Sequence, residues 1–127
     1  MAKNTVFSPN APKPVGAYSH GITVNGIFFS SGQLGIDPET NELVKGSVED
    51  EARQAMKNIG AILEAAGTSF DNLIKATIFI TDLKDFAAID GVYKEFITGD
   101  FPARTCVEVK GIPKGARLEI EVAALAE

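Results

Sequence analysis

The segment Arg117–Leu125 alternates without a break. Leu118, Ile120, Val122 and Ala124 leave one side of an extended chain, and Arg117, Glu119, Glu121, Ala123 and Leu125 leave the other. Leu73–Thr81 follows the same rule, with Ile74, Ala76, Ile78 and Ile80 set against Lys75, Thr77, Phe79 and Thr81. Two such strands demand a sheet with one dry face, and some other layer must cover it.

Two helical patterns supply that layer. In Ser47–Ala66 the residues Ala52, Ala55, Met56, Ile59, Ile62, Leu63 and Ala66 recur at helical spacing and form one apolar stripe. Ser47 can cap this helix, Glu49, Asp50 and Glu51 suit the positive end of its dipole, and Gly67 is a natural stop. Phe86–Ile97 carries Phe86, Ile89, Tyr93, Phe96 and Ile97 along its stripe, with Asp85 as cap and Gly99 as stop.

The remaining segments are strands and turns. Asn25-Gly26 joins the apolar runs Tyr18–Val24 and Ile27–Ser31 and is a strong signal for a tight hairpin. Three prolines make Ser8–Pro14 an extended surface lead-in. Gly32, Gly35 and Asp37–Asn41 read as a long loop containing a turn. Thr105–Val109 and Arg117–Leu125 are the last two strands, joined through Gly111–Gly115. The order β-β-β-α-β-α-β-β gives an α+β fold: a six-stranded mixed sheet with two helices packed on one face, in a single domain over residues 1–127.

Composition narrows the function. The single Cys106 excludes an internal disulfide framework and a cysteine-rich zinc site, and the single His20 excludes a multi-histidine metal centre. The net charge of 12 − 17 = −5 disfavours gripping a phosphate backbone by bulk electrostatics. No apolar stretch is long enough to span a membrane and Met1–Thr5 has no signal-peptide run, so a cytoplasmic location is expected.

The second face of the sheet is the informative one. Thr105, Val107 and Val109 are expected to share the covered face, which leaves Arg104, Cys106 and Glu108 with Glu119 and Glu121 on the other. Charged groups there lie among Phe79, Cys106, Ala123 and Leu125, which suits a subunit interface, a ligand cleft, or both. The plainer alternative is a wet outer face with an Arg–Glu surface pair worth under about 1 kcal/mol.

Five segments together resemble the RidA (YjgF-like) reactive-intermediate deaminase family. They are Pro14-Val15-Gly16-Ala17-Tyr18-Ser19-His20-Gly21; Ser30-Ser31-Gly32-Gln33; Ala52-Arg53-Gln54-Ala55 with Asn58-Ile59; Phe101-Pro102-Ala103-Arg104-Thr105-Cys106-Val107-Glu108-Val109; and Leu118-Glu119-Ile120-Glu121. The likeness runs nearly end to end in family order and spacing. It implies a chorismate-mutase-like fold and a barrel-forming homotrimer with ligand clefts at the subunit interfaces. It also implies hydrolysis of enamines and imines, such as 2-aminoacrylate (as 2-iminopropanoate) and 2-iminobutanoate, to 2-keto acids and ammonia. Pyridoxal-phosphate-dependent serine and threonine dehydratases would release those intermediates.

The resemblance also assigns roles. Arg104 matches the arginine that takes the substrate carboxylate, and a guanidinium fits that group with two parallel hydrogen bonds. Glu119 matches the acidic residue that positions or activates water, and a nearby arginine is expected to keep it ionised. Tyr18 borders the cleft, and Ser31, Gly32 and the backbone of Cys106 line it. A cross-subunit salt bridge for Arg104, an exposed strand carboxylate for Glu119, a core-edge tyrosine for Tyr18 and an ordinary turn at Ser31-Gly32 are the structural alternatives. Cys106 as a nucleophile is disfavoured, because no motif histidine accompanies it and an imine carbon is already electrophilic. His20 reads as a satisfied or exposed histidine. No metal or organic cofactor is implied.

Two departures stand out. Asp90 occupies a position where family members often carry asparagine, and the loop Thr98–Phe101 is shorter than in many of them. Competing functions are a non-catalytic trimer that binds small carboxylates and an RNA-cleaving translation inhibitor. The net charge and the lack of a basic stripe speak against the second.

Overall fold

The computed structural model describes residues 2–126. β1 (Asn4–Val6), β2 (Gly21–Val24) and β3 (Ile27–Ser30) form an antiparallel run. Asn25 and Gly26 turn the chain between β2 and β3 with φ of 57° and 78°, the left-handed pair that a tight hairpin needs. β1 is too short for its apolar pattern to announce it. The expected run Tyr18–Val24 is extended only from Gly21, so Tyr18 lies on the loop before the strand.

The long loop after Gly32 contains a small separate hairpin, β4 (Ile36–Asp37) with β5 (Glu42–Leu43). α1 (Val48–Ala65) follows, as its stripe predicts. Ser47 and Asp50 cap it reciprocally: Ser47 Oγ accepts from the Asp50 N–H and Asp50 Oδ2 from the Ser47 N–H. Gly67, at φ 78°, sits just past its end.

β6 (Leu73–Ile80), α2 (Phe86–Glu95) and β7 (Ala103–Glu108) make a parallel crossover, and β8 (Leu118–Leu125) completes the sheet. α2 ends at Glu95, short of the expected Ile97. Asp85 makes no side-chain cap; Asp82 caps the short turn that leads into the helix instead. The six strands run in the order β1-β2-β3-β8-β6-β7.

Both helices lie on one face. Phe28, Ala76, Ile78, Ile80, Leu118, Ile120, Val122 and Ala124 point into that layer, and all are buried. Against them α1 sets Ala52, Ala55, Met56, Ile59, Ile62 and Leu63, and α2 sets Ile89 and Val92. Each large aliphatic side chain buried here stabilises the fold by roughly 1.5–3 kcal/mol. The outer face is half-apolar, with Phe29, Val107 and Leu125 exposed.

Two polar anchors tie loops to this core. Asn58, buried on α1, donates to the carbonyls of Leu34 (3.0 Å) and Ile36 (2.8 Å) and accepts from Gln54 (2.9 Å). His20, also buried, accepts from the Ser8 N–H at Nδ1 (3.0 Å) and donates from Nε2 to the Pro12 carbonyl (2.7 Å). Ser8, Ala11 and Pro12 are buried as a result, so the lead-in is pinned rather than wholly on the surface.

Candidate functional site

Arg104 does not share a face with Glu119. In the parallel β6–β7 ladder Arg104 is opposite Ala76 and Cys106 is opposite Ile78, two positions on the helix side. In the β6–β8 ladder Glu119 is opposite Phe79 and Glu121 is opposite Thr77, on the outer side. The expected grouping of Arg104 and Cys106 with Glu119 and Glu121 is therefore overturned. β7 is the edge strand, and its inward positions lie at the rim of the helical layer. A long cation can lay its stem there and keep its head near water, while Val107 faces out.

Arg104 is held on three sides. Nη1 donates to Asp90 Oδ1 at 2.5 Å. Its guanidinium carbon lies 5.0 Å from the ring centre of Tyr93 and 5.4 Å from that of Phe86. Such contacts are worth about 0.5–1 kcal/mol each near a surface. α2 supplies all three partners. Beside them opens a cavity of about 420 Å³, lined by Asp90, Tyr93, Lys94, Phe101, Pro102 and Arg104.

Two neutral groups adjoin that cation. The Tyr93 hydroxyl is buried and has no partner among the described residues. Burial pushes its pKa up, partly opposed by Arg104. Burial likewise pushes the Cys106 thiol up, against the pull of Arg104. A thiol shifted in that direction is a poor nucleophile at neutral pH.

Glu119 lies in a different cleft, of about 280 Å³. Tyr18, Ser31, Gly32, Gln33, Lys13 and Lys114 are among its walls. Gln33 bridges to β8 by paired backbone bonds with Ile120 (2.8 and 3.0 Å), which lays the Ser31–Leu34 strap beside Glu119. Gly32 is required there, since a Cβ at that position would stand 2.5 Å from Glu119 Oε2. Desolvation, and then the charge of Glu121, raise the Glu119 carboxyl pKa. The expectation that Arg104 keeps it ionised thus fails within one chain, because the two groups face opposite ways.

Tyr18 walls this cleft, and its hydroxyl accepts weakly from the Val15 N–H at 3.4 Å. Ser31 donates inward, from Oγ to the Ser19 carbonyl (2.6 Å) and from its N–H to the His20 carbonyl (2.9 Å). It therefore has only acceptor capacity left for a ligand.

The structure thus groups Tyr18, Ser31, Gly32 and Glu119 in one place and Arg104 and Cys106 in another. Sequence reasoning missed Lys13, Gln33 and Lys114 at the first site and Tyr93 and Phe86 at the second. Gln33 was visible as a polar residue in a glycine-flanked strap, and Tyr93 as the polar member of an apolar stripe.

Comparison with known proteins finds relatives over nearly the whole chain. The sequence model of a family described as Endoribonuclease L-PSP matches residues 8–126. A RutC family protein of Pyrococcus horikoshii is 46% identical over 125 residues, 98% of this chain and 99% of that protein. The 2-iminobutanoate/2-iminopropanoate deaminase of Capra hircus is 43% identical, across 98% of this chain and 91% of that protein. The crystal structure of E. coli TdcF with bound serine superposes with a TM-score of 0.93 at 40% identity, covering 98% of this chain and 99% of that one.

Proposed function

The chain belongs to the RidA/YjgF/L-PSP family, and on that premise we propose that it is a hydrolytic deaminase of 2-imino acids. Its substrates are enamines and imines such as 2-aminoacrylate/2-iminopropanoate and 2-iminobutanoate, and its products are 2-keto acids and ammonia. The observation that carries this reading is the guanidinium of Arg104, packed beside two aromatic rings and paired with Asp90 at the rim of an open cavity. Such a group is suited to a small carboxylate.

In this reading the enamine tautomerises to the imine and Arg104 takes its carboxylate, with the backbone around Cys106, Ser31 and Gly32 lining the site. Glu119 holds a water, with Tyr18 as its neighbour, and removes a proton as the water adds to the C=N carbon. The carbinolamine then expels ammonia and leaves the C=O of the keto acid. A carboxyl whose pKa is raised by burial suits both halves of that proton traffic. No metal or organic cofactor enters the scheme.

The separation of Arg104 from Glu119 bears on assembly. A site that uses both draws Arg104 from one copy and Tyr18, Ser31, Gly32 and Glu119 from another. The half-apolar outer face, with Phe29, Val107 and Leu125 exposed, is a surface that copies could cover. We therefore propose a homotrimer with clefts at its interfaces, fed by pyridoxal-phosphate-dependent serine or threonine dehydratases.

A dehydratase generating the imine in situ tests the activity, with keto-acid release followed in the presence and absence of this protein. Acceleration by wild type that disappears in Arg104→Ala and Glu119→Gln supports the reading. No acceleration across several imines, with carboxylate binding retained, would make the protein a small-carboxylate binder instead.

A further inference from the structure

We infer that Asp90 makes the Arg104 cavity a reader of zwitterions, one that retains 2-iminium and 2-amino acids and disfavours the 2-keto acid formed from them. The inference rests on the assignment of Arg104 as the carboxylate anchor and deepens it.

The starting point is that the Arg104 charge is already engaged. Asp90 Oδ1 takes Nη1, and both side chains remain partly exposed, Arg104 at 25% and Asp90 at 31%. Both therefore face a ligand entering the cavity they line. The Phe86 and Tyr93 rings pack beside the guanidinium and Asp90 accepts from it, so an incoming ligand meets Arg104 with Asp90 alongside. Lys94 on the same wall keeps the site positive overall, and a carboxylate is still attracted.

A ligand with only a carboxylate then meets a negative neighbour at the arginine, and like charges in a half-dry site repel strongly. A ligand with a cationic nitrogen one carbon away meets a complementary pair. Its carboxylate faces Arg104 and its N–H groups donate to Asp90, whose Oδ2 makes no bond within the described residues. A protonated imine has that pattern. After hydrolysis the nitrogen is replaced by a carbonyl oxygen, which is an acceptor and opposes Asp90. The same residue thus favours substrate over product.

L-2-aminobutyrate and 2-ketobutyrate share one carbon skeleton and differ at the atom in question. Calorimetric titration of the full-length protein with each measures the discrimination directly. Wild type is expected to prefer the amino acid by roughly tenfold or more, the scale of one charge-assisted hydrogen bond. Asp90→Asn, a near-isosteric change, should bring the ratio close to one by weakening the amino acid and tightening the keto acid. Asp90→Glu, which keeps the charge, should retain the preference. A ratio unchanged in Asp90→Asn, or a parallel weakening of both ligands, overturns the inference and leaves Asp90 a structural partner. If Arg104→Ala leaves both affinities unaltered, the carboxylate anchor itself is wrong, and the inference falls with it.

Discussion

Arg104 and Glu119 project from opposite faces of the same sheet, Arg104 at the level of Ala76 beneath the helices and Glu119 at the level of Phe79 on the outer side. β6 carries both reference residues, so the two assignments are read against one shared strand. The proposed carboxylate anchor and the proposed water-handling group of a single chain consequently lie in two different clefts.

Glu121 tunes Glu119. Both stand on the outer face of β8, and the charge of Glu121 adds to desolvation in raising the Glu119 carboxyl. A general base works only when ionised, so a raised value moves the acid limb of activity upward in pH. Glu121→Gln removes one of the two causes. The acid limb of kcat/KM should move to lower pH, and a pH–rate profile of the two proteins measures it. A limb that stays in place or moves upward contradicts the assignment of Glu119 as base.

Gly32 is a steric requirement of the cleft. A methyl group there would collide with the Glu119 carboxylate, which must turn away. Gly32→Ala should lower kcat by on the order of 100-fold, the cost of misplacing a reacting group by about 1 Å. Stability should change little, because the obstructed atoms are the end of a flexible side chain. Steady-state kinetics alongside thermal melting separates the two effects.

Cys106 is not a nucleophile in this account. Its thiol is shifted upward by burial and lies beside Arg104 on the helix side of the sheet. Cys106→Ser should retain activity within about tenfold, whereas losing a covalent nucleophile costs on the order of 10⁴-fold or more. Single-turnover rates for the variant decide the matter.

Glu51 fastens the start of β8. It is buried and accepts from the Arg117 N–H and from Arg117 Nε, each at 2.7 Å, while Arg117 Nη2 donates to the Gly46 carbonyl at 3.0 Å. Glu51→Ala leaves the half-exposed Arg117 guanidinium and the Arg117 N–H without their acceptor. The loss should be about 2–3 kcal/mol, somewhat below that of a fully buried pair. A urea midpoint unchanged from wild type would show that the pair is dispensable.

Legibility in the sequence followed how completely each residue's surroundings were determined. α1 was readable because its cap, its stripe and its terminal glycine agree on one answer, and Ser47, Asp50 and Gly67 behave as expected. β8 was readable because it is central, paired on both edges and packed under helices, so burial alone dictates its alternation. β7 was misread because it is an edge strand. Val107 there faces out at 41% exposure while Arg104 turns in, so hydrophobicity no longer reports direction. The residues of the two clefts were individually visible, but the pairing of Arg104 with Asp90 and Tyr93 depends on how α2 lies over the sheet, which no local pattern encodes. The same holds for Gln33, whose place beside Glu119 comes from a single bridge to Ile120.

The most direct measurement mixes two variants that are each expected to be inactive. Arg104→Ala and Glu119→Gln are unfolded together, refolded at equal amounts, and assayed for keto-acid release from an imine generated in situ. If Arg104 of one copy completes the Glu119 cleft of the next in a closed ring, random assembly restores about one quarter of the wild-type sites. Recovery near that level is the predicted result. No recovery above the separate variants, with wild type refolded in parallel and fully active, would contradict a site shared between copies.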